Sequence, residues 1–419
     1  MFLFHTLRHW IALAVRGWFK RAYVRYEKDL PTDGPIIFAC THPNSAIDYL
    51  FAPLISRYPT HVLVRGDVFE KKALNALFRA IFMLPVYRIR DGFSSLNKND
   101  QSFRDCYSLF DKGGRVLIFS EGICVQEKTL QPIRKGTARL ALDFVHKHGG
   151  KKMYVVPVAT NYTRFRWFRG SVMVNFCAPI DVAKFDSLHA INANKAYEAL
   201  TSEIQSSLEE NFIQVAAYKD DHLTELALMA LRLDRQELRR NWAIEDASPF
   251  EEEQALVNAM NRLGPSALSE EWKSQAASLN LNPYQEGLLK QRYGKDVYLF
   301  QMIILAPFMV MAWLTIVLPY SFTTWLIKHK IKDVIFNNTV TIFGTMVFYL
   351  IALTVITILS FAQLGWVGAS IPLGFVLLTL MGIEMVDEYI FARKNWKFMG
   401  RRAEFQALHD EVRGLISRT

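Results

Sequence analysis

A histidine and an aspartate, His42 and Asp48, follow a short apolar run that predicts a β-strand over Ile36–Ala39. Pro43 favours the first turn of a helix, so His42 is expected at a strand-to-helix junction, near the helix cap. A carboxylate on one imidazole nitrogen fixes the tautomer and leaves the other nitrogen free to take a proton. No serine or cysteine stands at a nucleophile elbow, so the pair predicts a general base acting on a substrate hydroxyl. Taken alone, this spacing is explained more simply by a surface turn.

A second candidate pair, Glu121 and Gly122, comes one residue after the apolar run Val116–Phe119. Sites in α/β sheets are built at strand ends of this kind. The basic run RKGTAR at 134–139 then opens a predicted helix. Its cations and free backbone N–H groups suit a phosphate or a pantetheine-linked carrier. Lys135 and Arg139 are therefore candidate substrate-binding residues, and an ordinary basic helix start is the equal alternative.

Two further stretches complete the set of candidate residues. Arg88 and Arg90 would point to the same side of an extended chain, and two guanidinium groups on one side suit phosphate binding. The run VVPVA at 155–159 predicts a buried strand. Because Pro157 lacks a backbone N–H, it predicts an edge or a bulge there.

These candidate residues fall in a region, 30–185, that alternates β-rich runs with helical segments. The β-rich runs are Ile36–Ala39, Val62–Arg65, Val116–Phe119, Tyr154–Thr160 and Val172–Phe176. Helices are expected near 47–56, 68–82, 99–111 and 134–148. This alternation predicts an α/β fold with a mixed sheet flanked by helices.

The flanking regions differ in composition. Residues 1–29 predict an interfacial amphipathic helix, over 2–26, because basic residues with Trp and Phe suit the lipid headgroup plane. A helix packed on the following domain is the alternative. Residues 186–296 are acidic and punctuated by proline, and they predict a helical domain that acts as a lid or a packing element.

The C-terminal third predicts an integral membrane protein. Residues 297–327 and 334–383 contain no Asp, Glu, Lys or Arg, and about 20 apolar helical residues cross a bilayer core. We expect membrane segments within 297–390 and a basic tail over 391–419. The positive-inside rule places Lys328 and the tail in the cytoplasm. Three full crossings would put both opposite the α/β region, whereas a re-entrant first segment, which we favour, keeps all soluble parts on one side.

Charge and cysteine content restrict partners and compartment. Residues 1–185 carry 28 basic and 14 acidic side chains, which suits an anionic membrane surface or a phosphorylated substrate. The sequence shows no nucleic-acid recognition signature, so no nucleic acid is expected as a partner. The four cysteines have no CxxC spacing. Neither a disulfide framework nor a metal site is expected, and free thiols suit the cytoplasm. The expected location is a membrane, the bacterial inner membrane rather than an organelle, with the active site on the cytoplasmic face.

The four stretches that contain His42, Arg88, Glu121 and Pro157 are called the first to fourth blocks. In this order and spacing they resemble the glycerolipid acyltransferase superfamily over about residues 30–185. In that family the first block is His, four residues, Asp; the second ends in Arg after a short hydrophobic run. The third block is Phe-Pro-Glu-Gly-Thr-Arg and the fourth is a hydrophobic strand with Pro. Here five residues separate His42 from Asp48, Phe82 stands where the family has Gly, Ser120 replaces Pro, and Ile123-Cys124 replaces Thr-Arg.

The resemblance implies that His42 deprotonates a glycerol hydroxyl, that Asp48 orients His42, and that Glu121 and Gly122 shape the acceptor site. Arg88 would bind the acceptor phosphate, with Arg90, Lys135 and Arg139 as further candidates. It implies acyl transfer from acyl-CoA or acyl-carrier protein as co-substrate, with no cofactor, no metal and no acyl-enzyme. The acceptor is expected to be lysophosphatidic acid, with glycerol-3-phosphate as the alternative. A membrane adaptor that binds lipid without turnover is the alternative from another class.

Overall fold

The strands and helices lie within the parts of the chain that the computed structural model describes, residues 2–56, 58–70, 72–87, 93–165, 167–216, 221–235, 242–290, 293–331 and 336–418. The strands are β1 (Arg21–Tyr26), β2 (Ile36–Cys40), β3 (Thr60–Arg65), β4 (Met83–Val86), β5 (Arg115–Phe119), β6 (Tyr154–Tyr162), β7 (Ser171–Phe176), β8 (Ile180–Asp181) and β9 (Ala243–Glu245). The helices are α1 (Phe2–Trp18), α2 (Asp48–Ser56), α3 (Lys72–Ala80), α4 (Phe93–Phe110), α5 (Gly136–Lys147), α6 (Asp186–Ile191), α7 (Ala193–Asn211), α8 (Asp221–Leu231), α9 (Ser248–Leu263), α10 (Glu270–Ser278), α11 (Lys295–Lys330), α12 (Asn337–Leu364), α13 (Ser370–Phe398) and α14 (Arg402–Ser417).

The strands form one mixed sheet in the order β4-β3-β5-β2-β6-β7-β1-β9, with β8 paired to β6. β4, β3, β5, β2 and β6 run parallel to one another. β7 is antiparallel to β6, and β1 and β9 continue parallel to β7. The predicted class, an α/β fold with a mixed sheet flanked by helices, is confirmed.

Both faces of the central strand β2 are covered by helices, which explains why its sequence is apolar without alternation. Ile37 and Ala39 pack with residues of α5 and α7. Ile36 and Phe38, on the opposite face, pack with residues of α1 and α2. The sheet is therefore a buried layer whose strand ends supply the polar residues.

The N-terminal helix is shorter than the sequence predicted. α1 ends at Trp18, and residues 21–26 form β1 rather than the end of the helix predicted over 2–26. β1 forms because it pairs with both β7 and β9, so tertiary contacts override the helical pattern. Val15 and Phe19 are completely buried in the core of the α/β domain. The end of α1 thus packs on the domain, as the alternative prediction required.

Pro157 lies in an interior strand, so the prediction of an edge was wrong. On one side β6 pairs with β2 throughout, and Pro157 faces Ala39. On the other side the partner changes from β8, at Tyr154 and Val155, to β7, from Val158 onward. The missing N–H of proline is tolerated because it falls where the neighbouring strand changes.

The region after residue 185 is mainly helical, as predicted, apart from the short strand β9 that joins the sheet, and its helices pack in two places. Residues of α7 join the core below the sheet. α8, α9 and α10 form another core with α14, in which Trp272 and Phe405 are buried. The segment predicted as a basic tail therefore ends in a packed helix, because one face of α14 is apolar and meets the helical core.

Two helical stretches, Lys295–Lys330 and Asn337–Ser417, are long and apolar enough to cross a membrane. The first is α11, and the second contains α12 and α13, which a turn around Gly365 separates. α11 runs antiparallel to α13: Tyr298 packs on Phe391, and the hydroxyls of Thr315 and Thr379 are 2.8 Å apart. Three apolar segments were predicted here, and the three helices occupy those positions.

Candidate active site

The candidate residues meet at the carboxyl ends of three neighbouring strands. β2 lies between β5 and β6, with Cys40 in register with Phe119 of β5 and with Val158 of β6. Residues that follow Cys40 and Phe119 must therefore lie side by side. This places His42 and Glu121 together at the edge of the sheet where α/β proteins bind ligands.

His42 and Asp48 form a hydrogen-bonded pair, as the sequence predicted. Nδ1 of His42 is 3.0 Å from Oδ2 of Asp48. With Nδ1 engaged, Nε2 is the ring nitrogen that remains to take a proton. The imidazole stacks on the Phe119 ring with the centroids 3.8 Å apart, which fixes the ring plane. The side chain of His42 is 18% exposed, so the ring remains accessible while Asp48 is fully buried.

Asp48 is held by donors on both carboxylate oxygens. Oδ2 also accepts from the backbone N–H of Asn44 at 2.6 Å, and Oδ1 accepts from the Tyr162 hydroxyl at 2.6 Å. Burial raises the pKa of the Asp48 carboxyl, and hydrogen bonds from His42, Tyr162 and Asn44 oppose this rise. Asp48 is also the first residue of α2, where the helix dipole favours a negative charge.

The helix begins later than Pro43 suggested. Residues 45–47 form a single 3₁₀ turn, and α2 starts at Asp48. Ser45 has φ +53°, a conformation that costs a non-glycine residue on the order of 1–2 kcal/mol. Its N–H donates to Sγ of Cys124 at 3.1 Å. Residues 41–48, the His42 loop, thus form a compact turn that is held by a hydrogen bond to Cys124 in the third block.

Glu121 bonds the backbone of this loop rather than an open acceptor space. Its Oε1 accepts from the N–H of His42 at 2.6 Å, and its Oε2 accepts from the N–H of Gln131 at 3.1 Å. Burial raises the pKa of Glu121 to about 7. The side chain therefore ties the strand ends of β2 and β5 together. Gly122 follows with φ +69°, a region that glycine adopts without strain.

The predicted cations lie in different surroundings. A Cβ on Gly122 would lie 3.6 Å from Cγ of Arg134, so Arg134 is the cation of this run beside Gly122. Lys135 instead bonds Asn194 and Glu198 of α7, and Arg139 lies over the Tyr197 ring. Arg88 and Arg90 lie outside the described residues.

Some residues of the site escaped the sequence analysis. Tyr162 and Asn44 both donate to Asp48, and Asn44 in turn accepts from Gln126 at 3.1 Å. Asn338, at the start of α12, also donates to Asn44. No spacing rule connects these positions, because Gln126, Tyr162 and Asn338 lie 82, 114 and 294 residues from their partners.

One group of potential metal ligands occurs among the described residues. His146, Asp186 and His189 bring their ligand atoms within 4.8 Å of one another. His146 bonds Asp186 at 2.9 Å, and His189 bonds Asp143 at 3.3 Å. The group lies where α5 ends, whereas the candidate site lies where α5 begins. A polar cleft lined by Arg164, Arg169, Arg232 and Glu286, among others, is likewise not lined by His42, Asp48 or Glu121.

Part of this chain is similar to known acyltransferases. Residues 21–161 match the family model described as Acyltransferase. A 1-acyl-sn-glycerol-3-phosphate acyltransferase of Bacillus subtilis is 26% identical over 131 residues, which cover 31% of this chain and 60% of that protein. A solved structure, the 1-acyl-sn-glycerophosphate (LPA) acyltransferase PlsC from Thermotoga maritima, is 16% identical, with a TM-score of 0.33, and covers 48% of this chain and 78% of its own.

The candidate active site is thus a His–Asp pair at the carboxyl edge of the sheet in an α/β domain. Residues 21–161 match the Acyltransferase family model, and the resemblance to the glycerolipid acyltransferase superfamily is confirmed. The matched region of the Bacillus relative spans less than two thirds of that protein.

Proposed function

We propose that the protein is an O-acyltransferase of glycerophospholipid synthesis. It moves a fatty acyl group from acyl-CoA or acyl-carrier protein to a hydroxyl of lysophosphatidic acid. The observation that carries this proposal is the His42–Asp48 pair, 3.0 Å apart, within a domain of the Acyltransferase family. No cofactor is required, because the acyl donor is already an activated thioester.

The chemistry needs one proton carrier. Nε2 of His42 takes the proton of the acceptor hydroxyl as its oxygen attacks the thioester carbonyl. A C–O bond forms, the C–S bond breaks, and the thiolate leaves with the proton that His42 returns. Asp48 stabilises the imidazolium between these steps. The route contains no acyl-enzyme and no metal.

The acceptor follows from charge and from the relative's printed name. Arg134 lies beside Gly122, so it offers one cation of the basic run for the phosphate. Lys135 and Arg139 open the same helix, and Arg88 and Arg90 are further candidates for the phosphate. The Bacillus relative is named for an acylated glycerol phosphate, which favours lysophosphatidic acid over the alternative, glycerol-3-phosphate.

The test uses the purified full-length chain with radiolabelled acyl-CoA or acyl-carrier protein and each acceptor in turn. His42→Ala is expected to lower turnover about 100-fold or more, the scale of a lost general base. His146→Ala, a half-exposed histidine of α5, is the matched control and should retain the wild-type rate. Wild-type turnover in the His42 variant would overturn the mechanism. Lipid binding without turnover by the wild type would support the adaptor alternative, which the Ile123-Cys124 substitution favours.

We also propose that the protein is anchored in the bacterial inner membrane with His42 on the cytoplasmic side. Asn338 touches the His42 loop, and the six residues 331–336 that precede α12 span at most about 20 Å. This short connection favours a basic end of α11 on the same side of the membrane as the α/β domain. Near the other end of α11, Tyr298 packs on Phe391, and Lys394 bonds the carbonyl of Glu286 in the helical region. Both ends on one side support the re-entrant arrangement.

Reporters fused after Ile331 and after the last residue test this orientation. Both are expected to report a cytoplasmic location. A periplasmic signal from either fusion would overturn the re-entrant arrangement without affecting the proposed reaction.

A further inference from the structure

The first turn of the long apolar helix α12 lies against the His42 loop. Asn338, the second residue of α12, is 4% exposed. Its Nδ2 donates to Oδ1 of Asn44 at 3.3 Å and also to the carbonyl of Phe165. An amide buried in this way at the start of an apolar helix needs partners. Here its partners are two groups of the acyltransferase domain and its adjoining loop.

Asn44 links this contact to Asp48. Its side chain is completely buried, and its backbone N–H donates to Oδ2 of Asp48 at 2.6 Å, the oxygen that also bonds His42. Its own Nδ2 donates to the Phe165 carbonyl at 3.2 Å. Asn338 and Asn44 therefore share one acceptor, and the side chain of Asn44 is held by Asn338 and Phe165 together with Gln126, which donates to Oδ1 of Asn44 at 3.1 Å. If Asn44 is displaced, its backbone N–H moves as well, and the position of the Asp48 carboxylate that it bonds changes.

The next turns of α12 are fixed in the same core as α1 and α2. Ile342 is 5% exposed and belongs to the apolar cluster of Phe51 and Tyr162, and Phe343 packs against that cluster. Burial of a side chain of this size contributes on the order of 1.5–3 kcal/mol. The start of α12 is therefore an integral part of the domain that carries the His42–Asp48 pair, although it lies outside the family-matched residues 21–161.

We propose that Asn338 is a positioning residue of the active site, through which the apolar C-terminal region holds the His42 loop in its reactive geometry. This inference rests on the proposed function. It predicts that the C-terminal helices do more than anchor the chain, because the acyltransferase domain is incomplete without the amide of Asn338. Small displacements of a catalytic group, on the order of 1 Å, lower rates about 100-fold.

The experiment compares Asn338→Ala and Asn338→Leu with the wild type and with Asn337→Ala in the full-length chain. Leucine keeps the size of asparagine and removes the donor, so it preserves packing where alanine leaves a gap. Asn337, one position earlier, is the matched control, since its hydrogen bond to Thr341, among the described residues, uses its backbone carbonyl. Both Asn338 variants are expected to lose about tenfold or more in kcat, with the KM of the acceptor within twofold of wild type.

Two further measurements separate positioning from a general structural role. In an Asp48→Asn background, Asn338→Leu should have little additional effect, because both changes act through the same carboxylate. Amide hydrogen exchange of residues 41–48 should increase in the Asn338 variants, and this reading does not depend on any substrate. Wild-type exchange and wild-type kcat in Asn338→Leu would overturn the inference. An inactive wild type with increased exchange in the variants would instead count against the proposed function alone.

Discussion

The hydroxyl of Tyr162 lies 2.6 Å from Oδ1 of Asp48, while His42 occupies the other oxygen of the same carboxylate at 3.0 Å. Tyr162 is 2% exposed and its pKa is raised well above its ordinary value by burial, so it remains a donor at every working pH. The carboxylate is thereby fixed between a tyrosine on β6 and a histidine after β2. Tyr162, at the end of β6, therefore helps to position His42, the proposed proton acceptor, which follows the end of β2.

Tyr162→Phe is expected to lower kcat about tenfold, because Asp48 loses one of the bonds that set its position. The hydroxyl also lowers the pKa of Asp48 against the rise caused by burial. Without the hydroxyl, Asp48 takes up its proton at higher pH and no longer supports His42 there. The acid limb of the kcat profile should therefore move to higher pH, by about one unit, the equivalent of a lost charged hydrogen bond.

The control lies on the same strand. Tyr154, at the other end of β6, bonds Asp33, so Tyr154→Phe removes a comparable pair far from His42. That variant should keep the wild-type pH profile. Equal shifts in both variants would show that the effect comes from the strand and not from the Asp48 contact.

Glu121→Gln is expected to change how stability depends on pH. Burial raises the pKa of Glu121 to about 7 from its ordinary 4.5. A carboxyl whose pKa is raised by folding stabilises the folded chain fully below pH 4.5, and this contribution is lost as the pH rises through 7. The contribution is about 3 kcal/mol. The difference in Tm between wild type and variant should therefore change between pH 5 and pH 8, with the wild type relatively more stable at pH 5.

A second glutamate provides the comparison for that measurement. Glu198 is exposed and bonds Lys135, which lowers the pKa of its carboxyl. The contribution of this carboxylate to folding stability is already complete above pH 4.5. The difference in Tm between the wild type and Glu198→Gln should therefore be constant between pH 5 and pH 8. A constant difference for Glu121→Gln as well would contradict the assigned burial of that carboxyl.

Cys124 is expected to be the thiol that alkylating reagents reach first. The other three cysteines, Cys40, Cys106 and Cys177, are buried. Burial raises the pKa of the Cys40 and Cys177 thiols, and it raises the pKa of the Cys106 thiol to about 12. Reaction at Cys124 places a bulky group where Ser45 donates its N–H, beside His42. N-ethylmaleimide should label the native chain once and abolish turnover. Cys124→Ser keeps an acceptor for Ser45, so it should remain active and unlabelled; full activity of the labelled wild type would argue against this placement.

Sequence reasoning found the parts of the site that lie near one another along the chain. β2, β5 and β6 were visible because strands buried on both faces are apolar throughout. β1 was not, since Arg21 and Arg25 interrupt its apolar residues and its strand state depends on β7 and β9. Tyr162 is 114 residues from Asp48, and Asn338 is 294 residues from Asn44. Such contacts are set by the packing of strands and helices and carry no local signal.

Gly382 tests how tightly α11 and α13 are packed. A Cβ added there would lie 2.3 Å from Cβ of Ala312, so the two helices approach closely only because this position has no side chain. Gly382→Val should separate the helices and lower the Tm of the detergent-solubilised chain. Overpacking of this kind costs about 1–3 kcal/mol. Gly374→Val, on the same helix with open space around it, provides the control and should leave Tm unchanged. If both variants melt alike, the contact between α11 and α13 does not stabilise the C-terminal helices.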